Sequence, residues 1–322
     1  MRRHRLGRTA VEVTELGFGA APIANLYSAV DPETAERAVR AAAEAGIGYF
    51  DTAPHYGLGL SERRLGAVLS TLPRDSFVIS TKVGRLLVPN PERTGSDLES
   101  GGFDLPDDLT RVRDYSRDGV RRSLEASLER LGLDRVDIVY VHDPEDSMDQ
   151  AVGEAVPALA ELRDQGVIGA IGAGMNYVEP LTRIVAETDV DVIMVAGRWT
   201  LLDRSAESLV DRCAERGVSV VSAAPFNSGM LARTEVADDA TFDYSRAAPE
   251  LIGRARRLAA LCREHGAELP QAALQAPLRH PAVAAVVAGL GNADEVAAAV
   301  ERIERPVPDA LWPLLDQVVA PA

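Results

Sequence analysis

The sequence has few cysteines, few aromatic residues and no long apolar run. Only Cys213 and Cys262 are present among 322 residues, far apart in helix-like segments, so neither a disulfide framework nor a clustered metal site is suggested. The basic start MRRHRLGRTA lacks the apolar segment of a secretory signal, and no stretch is long enough to insert into a membrane. We therefore expect a cytoplasmic protein without a membrane partner.

Basic residues are also scarce. The chain has 34 Lys and Arg against 49 Asp and Glu, which gives a formal net charge of -15. Nucleic acids and anionic membrane surfaces recruit basic patches, so this balance argues against either as the main partner. A hydrophobic content of 46% is that of an ordinary globular protein. We expect a small-molecule ligand and a monomer or weak homo-oligomer.

Short apolar runs recur along the chain, and a helical pattern follows each of them. This alternation predicts parallel strands joined by helical crossovers, and runs that are apolar throughout fit strands buried on both faces. Eight runs occur, at residues 16–21, 47–51, 77–82, 136–142, 167–174, 191–197, 218–224 and 284–289. A strand–helix unit repeated eight times predicts an α/β fold closed into a (β/α)8 TIM barrel, with an open doubly wound sheet as the alternative.

Several predicted helices have readable ends. Asp31 with Pro32 begins a helix that Gly46 ends, and Ser116 and Gly132 bound another. Further helices are predicted at 149–165, 204–216, 249–265 and 293–304.

Two connections are unusually long. Residues 85–115 follow the third predicted strand and residues 227–249 follow the seventh. Loops of this length in compact domains are usually functional, and both would emerge at the C-terminal rim, where barrel enzymes build their active sites. Since no linker or internal repeat interrupts the pattern, we predict one domain spanning residues 1–322.

Three predicted strands end in ionisable residues, Asp51, Lys82 and His142, and Tyr56 lies just beyond the first of these. Each has an ordinary structural explanation alone, but in a barrel these strand ends meet at one rim. A phenol is a poor acid or base at neutral pH unless its phenolate is stabilised, which a Lys82 cation would do. Asp51 would pair with Lys82 and keep it charged, and His142 would orient a substrate oxygen or share the proton.

The segments that carry these residues resemble the aldo-keto reductases. The likeness lies in GIGYFDTAPHYGLGLSERRLG, ISTKVG and VDIVYVHDP, and LGRTAVEVTELGFGAAP resembles the family's first hairpin and strand. The resemblance spans essentially the whole chain. It implies a (β/α)8 barrel with an N-terminal β-hairpin, a nicotinamide cofactor extended across the rim, and Asp51, Tyr56, Lys82 and His142 as the catalytic tetrad.

Within the family the chain is most similar to the L-fucose or D-threo-aldose 1-dehydrogenases and pyridoxal 4-dehydrogenase, through segments such as GAIGAGMN, VAGRWTLLD and AAPFNSGML. The resemblance implies oxidation of a sugar C1 hydroxyl to a lactone. It assigns the nicotinamide carboxamide to Asn176 and places His55 and Trp199 against the substrate. The other residues that it assigns to the cofactor are Ala223, Pro225, Phe226, Asn227, Gly229, Leu231, Gly289, Gly291 and Asn292.

The chain departs from the wider family at two positions. Ala223 stands where many members stack a tyrosine on the nicotinamide, so Trp199 or Phe226 would support the ring instead. Gly291 stands where an arginine often binds the 2′-phosphate of NADP. A glycine offers no bidentate clamp for a phosphate, so NAD is the preferred cofactor, with NADP possible if another basic residue supplies the clamp.

Three other functions compete with this interpretation. An NADPH-dependent aldehyde or ketone reductase would use the same site. A barrel aldolase would form a Schiff base on Lys82. A non-catalytic subunit would keep the fold to sense a cofactor and regulate a partner.

Overall fold

The structure, a computed structural model, describes residues 1–243 and 245–319 of the chain. Its strands are β1 (Arg3–Arg5), β2 (Glu12–Thr14), β3 (Leu16–Gly19), β4 (Tyr49–Asp51), β5 (Val78–Val83), β6 (Arg85–Pro89), β7 (Leu109–Arg113), β8 (Ile138–His142), β9 (Ala170–Met175), β10 (Val192–Ala196), β11 (Ser219–Ala223), β12 (Thr241–Phe242), β13 (Ser245–Arg246) and β14 (Val283–Gly289). Its helices are α1 (Pro32–Glu44), α2 (Leu60–Leu69), α3 (Leu98–Gly101), α4 (Arg117–Leu131), α5 (Met148–Gln150), α6 (Val156–Asp164), α7 (Val178–Glu187), α8 (Glu207–Arg216), α9 (Pro249–Glu264), α10 (Leu269–Gln275), α11 (Ala293–Glu304) and α12 (Trp312–Val319).

Eight parallel strands close into a barrel. Around the barrel they run in the order β3, β4, β5, β8, β9, β10, β11 and β14, and β14 pairs again with β3. Barrel strands that are consecutive along the polypeptide are therefore neighbours in the barrel. Right-handed strand–helix–strand crossovers produce this arrangement. The eight apolar runs predicted the eight barrel strands correctly, and the doubly wound alternative is wrong.

The N-terminal hairpin of β1 and β2 packs against one end of the barrel. Its Leu6 and Val13 are fully buried in the cluster that fills the barrel interior, together with Tyr49, Ala170 and Val192. The interior is thus a packed core, which leaves the opposite, carboxyl end of the strands for a binding site.

The two long connections contain secondary structure of their own. The first (85–115) folds into the antiparallel pair β6 and β7 with the short helix α3 between them, and the second (227–249) contains the short pair β12 and β13. Both leave the carboxyl ends of barrel strands, as predicted.

Five of the helices in the described residues were missing from the sequence prediction, namely α2, α3, α7, α10 and α12. Helices α2 and α7 begin without a side-chain cap, at Gly59 and Tyr177, so the usual start signal is absent. Helix α10 carries a capping box of Glu268 and Gln271, a signal that would have identified it. The predicted helix at 149–165 is interrupted by a π-helical segment at Ala151–Ala155 between α5 and α6. Across the part of the chain that the structure describes, no helix is long and apolar enough to cross a membrane.

Close packing between α2 and α4 depends on Gly66. A Cβ at this position would lie 2.1 Å from the carbonyl oxygen of Leu131, a backbone atom that cannot rotate away. We expect Gly66→Ala to lower the free energy of unfolding by about 1–3 kcal/mol, measured by denaturant titration. Gly153→Ala is the matched control, since its Cβ would meet nothing within 4 Å. Equal stability of the two variants would contradict this packing.

Candidate active site

The predicted tetrad lies at the mouth of the barrel because three adjacent strands direct it there. Asp51 ends β4, Lys82 lies near the end of β5 and His142 ends β8, and these strands pair in parallel. Tyr56 follows in the turn after β4. The Thr52 hydroxyl donates to Ser61 Oγ at 2.7 Å, which ties together the two ends of the segment that carries Tyr56.

Lys82 is the centre of the site. Its Nζ lies 2.8 Å and 3.0 Å from the two carboxylate oxygens of Asp51, 3.0 Å from the carbonyl oxygen of Thr52 and 3.1 Å from the hydroxyl of Tyr56. Asp51 and Lys82 are almost completely buried. The structure therefore brings the carboxylate, the ammonium and the phenol together in hydrogen-bonding contact.

The pKa directions follow from burial and these contacts. Burial works to lower the pKa of Lys82, but the Asp51 carboxylate and Tyr56 together raise it above its ordinary value. A protonated amine is not a nucleophile, so this environment argues against Schiff-base formation by an aldolase. Burial raises the pKa of Tyr56, and although Lys82 lowers it, the net direction is upward. The expectation that the ammonium alone readies the phenol to ionise at neutral pH is therefore too simple for the free enzyme.

Two neutral imidazoles lie beside Tyr56. The ring centroid of His142 is 6.0 Å from that of Tyr56, and that of His55 is 5.8 Å from His142. Burial, with the positive charges of Arg85 and Lys82, holds the pKa of His142 well below its ordinary value. Burial and nearby cations also lower the pKa of His55, to about 2. A neutral His142 can hold a substrate oxygen, but it is a weak base at this site.

A second ion pair, Arg85 with Asp143, lies beside His142. The guanidinium donates to Asp143 Oδ2, and the same oxygen is 3.4 Å from His142 Nε2. Asp143 has a left-handed φ of 44°, a conformation that is costly for residues other than glycine and that clusters at functional sites. The Tyr115 hydroxyl, 2.7 Å from the His142 carbonyl oxygen and 2.8 Å from that of Asp143, holds this turn. Neither residue of this pair was predicted as a site residue from the sequence, although Asp143 directly follows His142.

The first long connection forms an aromatic wall over the site. The buried Phe103 ring lies 5.5 Å from His55 and 6.2 Å from Tyr56, between ring centroids. Arg111 donates to both carboxylate oxygens of Asp97 at 2.6 Å and to the carbonyl oxygen of His55 at 2.8 Å. This side of the pocket is therefore fixed to the turn that carries Tyr56.

Seven residues that the resemblance assigns to the cofactor are partly or fully accessible near the carboxyl ends of β9, β11 and β14. They are Asn176, Ala223, Phe226, Gly229, Gly289, Gly291 and Asn292. Most of them are small, so the backbone at these strand ends is open to a flat, extended ligand. The donor set and the open rim fit a dinucleotide, with Asn176 able to pair with a carboxamide.

Four further assigned residues are buried in packing contacts. The Asn227 amide accepts from Thr200 Oγ1 at 2.8 Å and donates to the Gly197 carbonyl oxygen at 3.1 Å. Pro225 is buried, and Leu231 is buried in the second hydrophobic cluster. Contacts within the protein are therefore enough to explain the positions of these side chains, and no ligand contact is needed. Asn227 nevertheless helps to fix a loop in which Ala224, Asn227, Ser228 and Gly229 all have left-handed φ angles.

Trp199 is the fourth buried residue, and the structure does not place its indole in the candidate pocket. The indole N–H donates to the carbonyl oxygen of Pro277 at 3.2 Å, and the ring contacts Arg204 and His280. Of the two aromatic residues considered for stacking on the nicotinamide, only Phe226 remains partly accessible.

Comparisons with known proteins assign the chain to a family. The aldo/keto reductase family profile matches residues 15–320. The chain is 48% identical to a D-threo-aldose 1-dehydrogenase of Pseudomonas sp. over 93% of this chain and 92% of that protein, and 37% identical to a pyridoxal 4-dehydrogenase of Microbacterium luteolum over 97% and 96%. An aldo-keto reductase from Bacillus halodurans, solved in its holo form, superposes with a TM-score of 0.78 at 27% identity, covering 100% of this chain and 97% of that chain. The chain therefore belongs to the aldo/keto reductase family and is an oxidoreductase that acts on CH–OH groups with a nicotinamide cofactor.

Proposed function

We propose that the protein is an aldose 1-dehydrogenase of the L-fucose or D-threo-aldose type, which oxidises the C1 hydroxyl of a free sugar to a lactone. The observation that carries the proposal is the Tyr56 hydroxyl 3.1 Å from the Lys82 ammonium. The 48% identity to a D-threo-aldose 1-dehydrogenase supports the choice of substrate. We propose that it acts in the cytoplasm as a monomer or weak homo-oligomer.

In the proposed reaction the nicotinamide supplies the hydride acceptor, and the residues of the chain move the proton. Tyr56 accepts the proton of the C1 hydroxyl, Lys82 stabilises the phenolate, and His142 holds the substrate oxygen. Because burial raises the pKa of Tyr56, the resting phenol is protonated. Oxidation should therefore accelerate as the pH rises, because a growing fraction of Tyr56 is then the phenolate that serves as base.

The charged pair beside His142 supports a hydroxyl-rich substrate. Arg85 and Asp143 both keep part of their side-chain surface accessible, and sugar hydroxyls can accept from a guanidinium and donate to a carboxylate. Asp143, whose carboxylate reaches the same ring nitrogen of His142 that a substrate oxygen would use, adds an acceptor for a neighbouring hydroxyl.

A second candidate is oxidation of pyridoxal. The aromatic wall of Phe103, His55 and Tyr56 would pack against a pyridine ring, and the chain is 37% identical to a pyridoxal 4-dehydrogenase. NADPH-dependent reduction of a general aldehyde or ketone is the remaining alternative.

A substrate panel separates these candidates. We expect L-fucose and D-threo-aldoses with NAD to give a higher kcat/KM than pyridoxal with NAD or an aromatic aldehyde with NADPH, measured by absorbance of the reduced cofactor. The lactone should accumulate with the reduced cofactor. The sugar alcohol L-fucitol, which has no anomeric hydroxyl, is the control and should not react. Turnover of the aromatic aldehyde alone would contradict the proposed function.

The preference for NAD has a proposed basis at the start of α11. The Gly291 N–H donates to Glu295 Oε2 at 2.7 Å, and Asn292 caps the helix by accepting from the Glu295 N–H at 2.9 Å. Asp294 adds a second carboxylate to the same turn. If the adenosine ribose lies here, as the resemblance implies, a 2′-phosphate would meet two negative charges and find one backbone donor already occupied.

Removal of one of these charges should relax the choice of cofactor. We expect Glu295→Gln to raise the ratio of kcat/KM with NADP to that with NAD by about fivefold or more, which corresponds to about 1 kcal/mol of repulsion at close range. Glu301→Gln removes the same charge from the last turn of α11 and should leave the ratio unchanged. If Glu295→Gln also leaves it unchanged, the 2′-phosphate site does not lie at this helix.

A further inference from the structure

Three buried hydroxyl groups lie one layer below the tetrad. Side chains two residues apart on a strand point to the same face, so Tyr49 lies below Asp51, Ser80 below Lys82 and Tyr140 below His142. Tyr49, Ser80 and Tyr140 are fully buried, and nothing in the proposed reaction uses them.

These hydroxyls form a continuous hydrogen-bonded chain that ends on Asp51. Ser80 Oγ lies 2.7 Å from Asp51 Oδ1, the Tyr49 hydroxyl lies 3.1 Å from Ser80 Oγ, and the Tyr140 hydroxyl lies 3.2 Å from that of Tyr49. This chain of hydrogen bonds crosses three neighbouring strands, β4, β5 and β8, inside the barrel.

The direction of every hydrogen bond follows from the carboxylate at the end. An ionised Asp51 only accepts, so Ser80 donates to it, and each hydroxyl has a single hydrogen to give. Since the hydrogen of Ser80 is used on Asp51, Tyr49 donates to Ser80. Since the hydrogen of Tyr49 is then used on Ser80, Tyr140 donates to Tyr49. All three O–H dipoles therefore point toward Asp51.

We propose that Tyr140, Tyr49 and Ser80 are positioning residues whose aligned hydroxyls hold Asp51 as the carboxylate, keep the proton on Lys82 and so set the pH at which Tyr56 ionises. This inference rests on the proposed role of Tyr56 as the group that exchanges the proton.

The physical reason is a competing state of the buried pair. A proton that moves from Lys82 to Asp51 leaves both groups neutral, which burial favours. In that state the phenolate of Tyr56 would have no cation beside it. Donors aligned on the carboxylate oppose this transfer, and the low dielectric of the barrel interior strengthens and polarises the chain.

Other charged and titratable groups lie around Tyr56, and the test leaves all of them unaltered. They are Lys82 on β5, His142 on β8, Asp143 after it, His55 in the turn after β4, and Arg85 on β6, which pairs with Asp143.

The test compares three variants that remove the hydroxyls one at a time, Ser80→Ala, Tyr49→Phe and Tyr140→Phe. We expect the alkaline limb of the pH profile of kcat/KM for reduction of a simple aldehyde to move to higher pH in each. The shift should be roughly 0.5–1 pH unit for Ser80→Ala, smaller for Tyr49→Phe and smallest for Tyr140→Phe, in the order of distance from Asp51. The assay uses reduction of a simple aldehyde because this measurement does not depend on sugar oxidation. A failure to oxidise sugars would contradict only the proposed function.

Thr81→Val is the matched control. Thr81 neighbours Ser80 on β5 and also donates a buried hydroxyl to a carboxylate, that of Glu62 at 2.8 Å, on the opposite face of the strand. Its removal should cost stability and leave the pH profile in place. Equal shifts in Thr81→Val and Ser80→Ala, or no shift in Ser80→Ala, would overturn the inference.

A readout without turnover keeps the inference testable on its own. Carbon NMR of labelled tyrosine rings follows the ionisation of Tyr56, whose resonance is identified by its loss in Tyr56→Phe. The onset of its titration should move to higher pH in Tyr49→Phe and Tyr140→Phe, which remove only an oxygen and keep the volume of the ring. If the onset of Tyr56 titration is unchanged in both variants, the hydrogen-bonded hydroxyls have no role in its ionisation. This outcome can be read even if Ser80→Ala does not fold.

Discussion

The site depends on one buried ion pair, Lys82 with Asp51. An ammonium without a partner would lose its proton at this depth, and the carboxylate at 2.8 Å prevents that. With the charge kept, Lys82 has a third donor for the Thr52 carbonyl oxygen and a contact to the Tyr56 hydroxyl. The position of the phenol and the stability of its phenolate therefore both follow from a pair that the substrate itself does not need to touch.

The barrel supplies the geometry of that pair through strand pairing. Asp51 and Ser80 are register partners on β4 and β5, and Lys82 and Tyr140 are partners on β5 and β8. Because side chains alternate between the two faces of a strand, the same register that brings the charged groups to the mouth puts the hydroxyls of Tyr49, Ser80 and Tyr140 directly beneath them. The polar layer under the tetrad is thus a consequence of sequence positions two residues earlier on each strand.

The strand positions, and the meeting of Asp51, Lys82 and His142 at one rim, could be predicted from the sequence because buried parallel strands are apolar throughout and their ends are marked by ionisable residues. Loop structure could not. The pairing of β6 with β7, which places Phe103 over Tyr56, depends on a connection with no regular periodicity. Asp143 was overlooked because its role comes from a left-handed turn and an Arg85 contact that local sequence does not reveal.

The residues assigned by resemblance to the cofactor and substrate differ in whether a ligand could reach their side chains. Asn176 and Gly291 are accessible at the rim. The polar groups of Trp199 and Asn227 instead form hydrogen bonds within the protein. The pKa of Tyr56 was the other point that sequence could not decide, since it depends on whether burial or the charge of Lys82 is larger.

The most direct test of the account measures turnover and cofactor binding together in Tyr56→Phe. Phenylalanine keeps the ring and its packing but has no exchangeable proton. The account predicts that kcat falls by roughly 10²–10⁴-fold or more while the dissociation constant of the reduced cofactor stays close to that of the unaltered protein. Turnover near the original rate would show that another group exchanges the proton, and the central claim about the phenol beside Lys82 would be wrong.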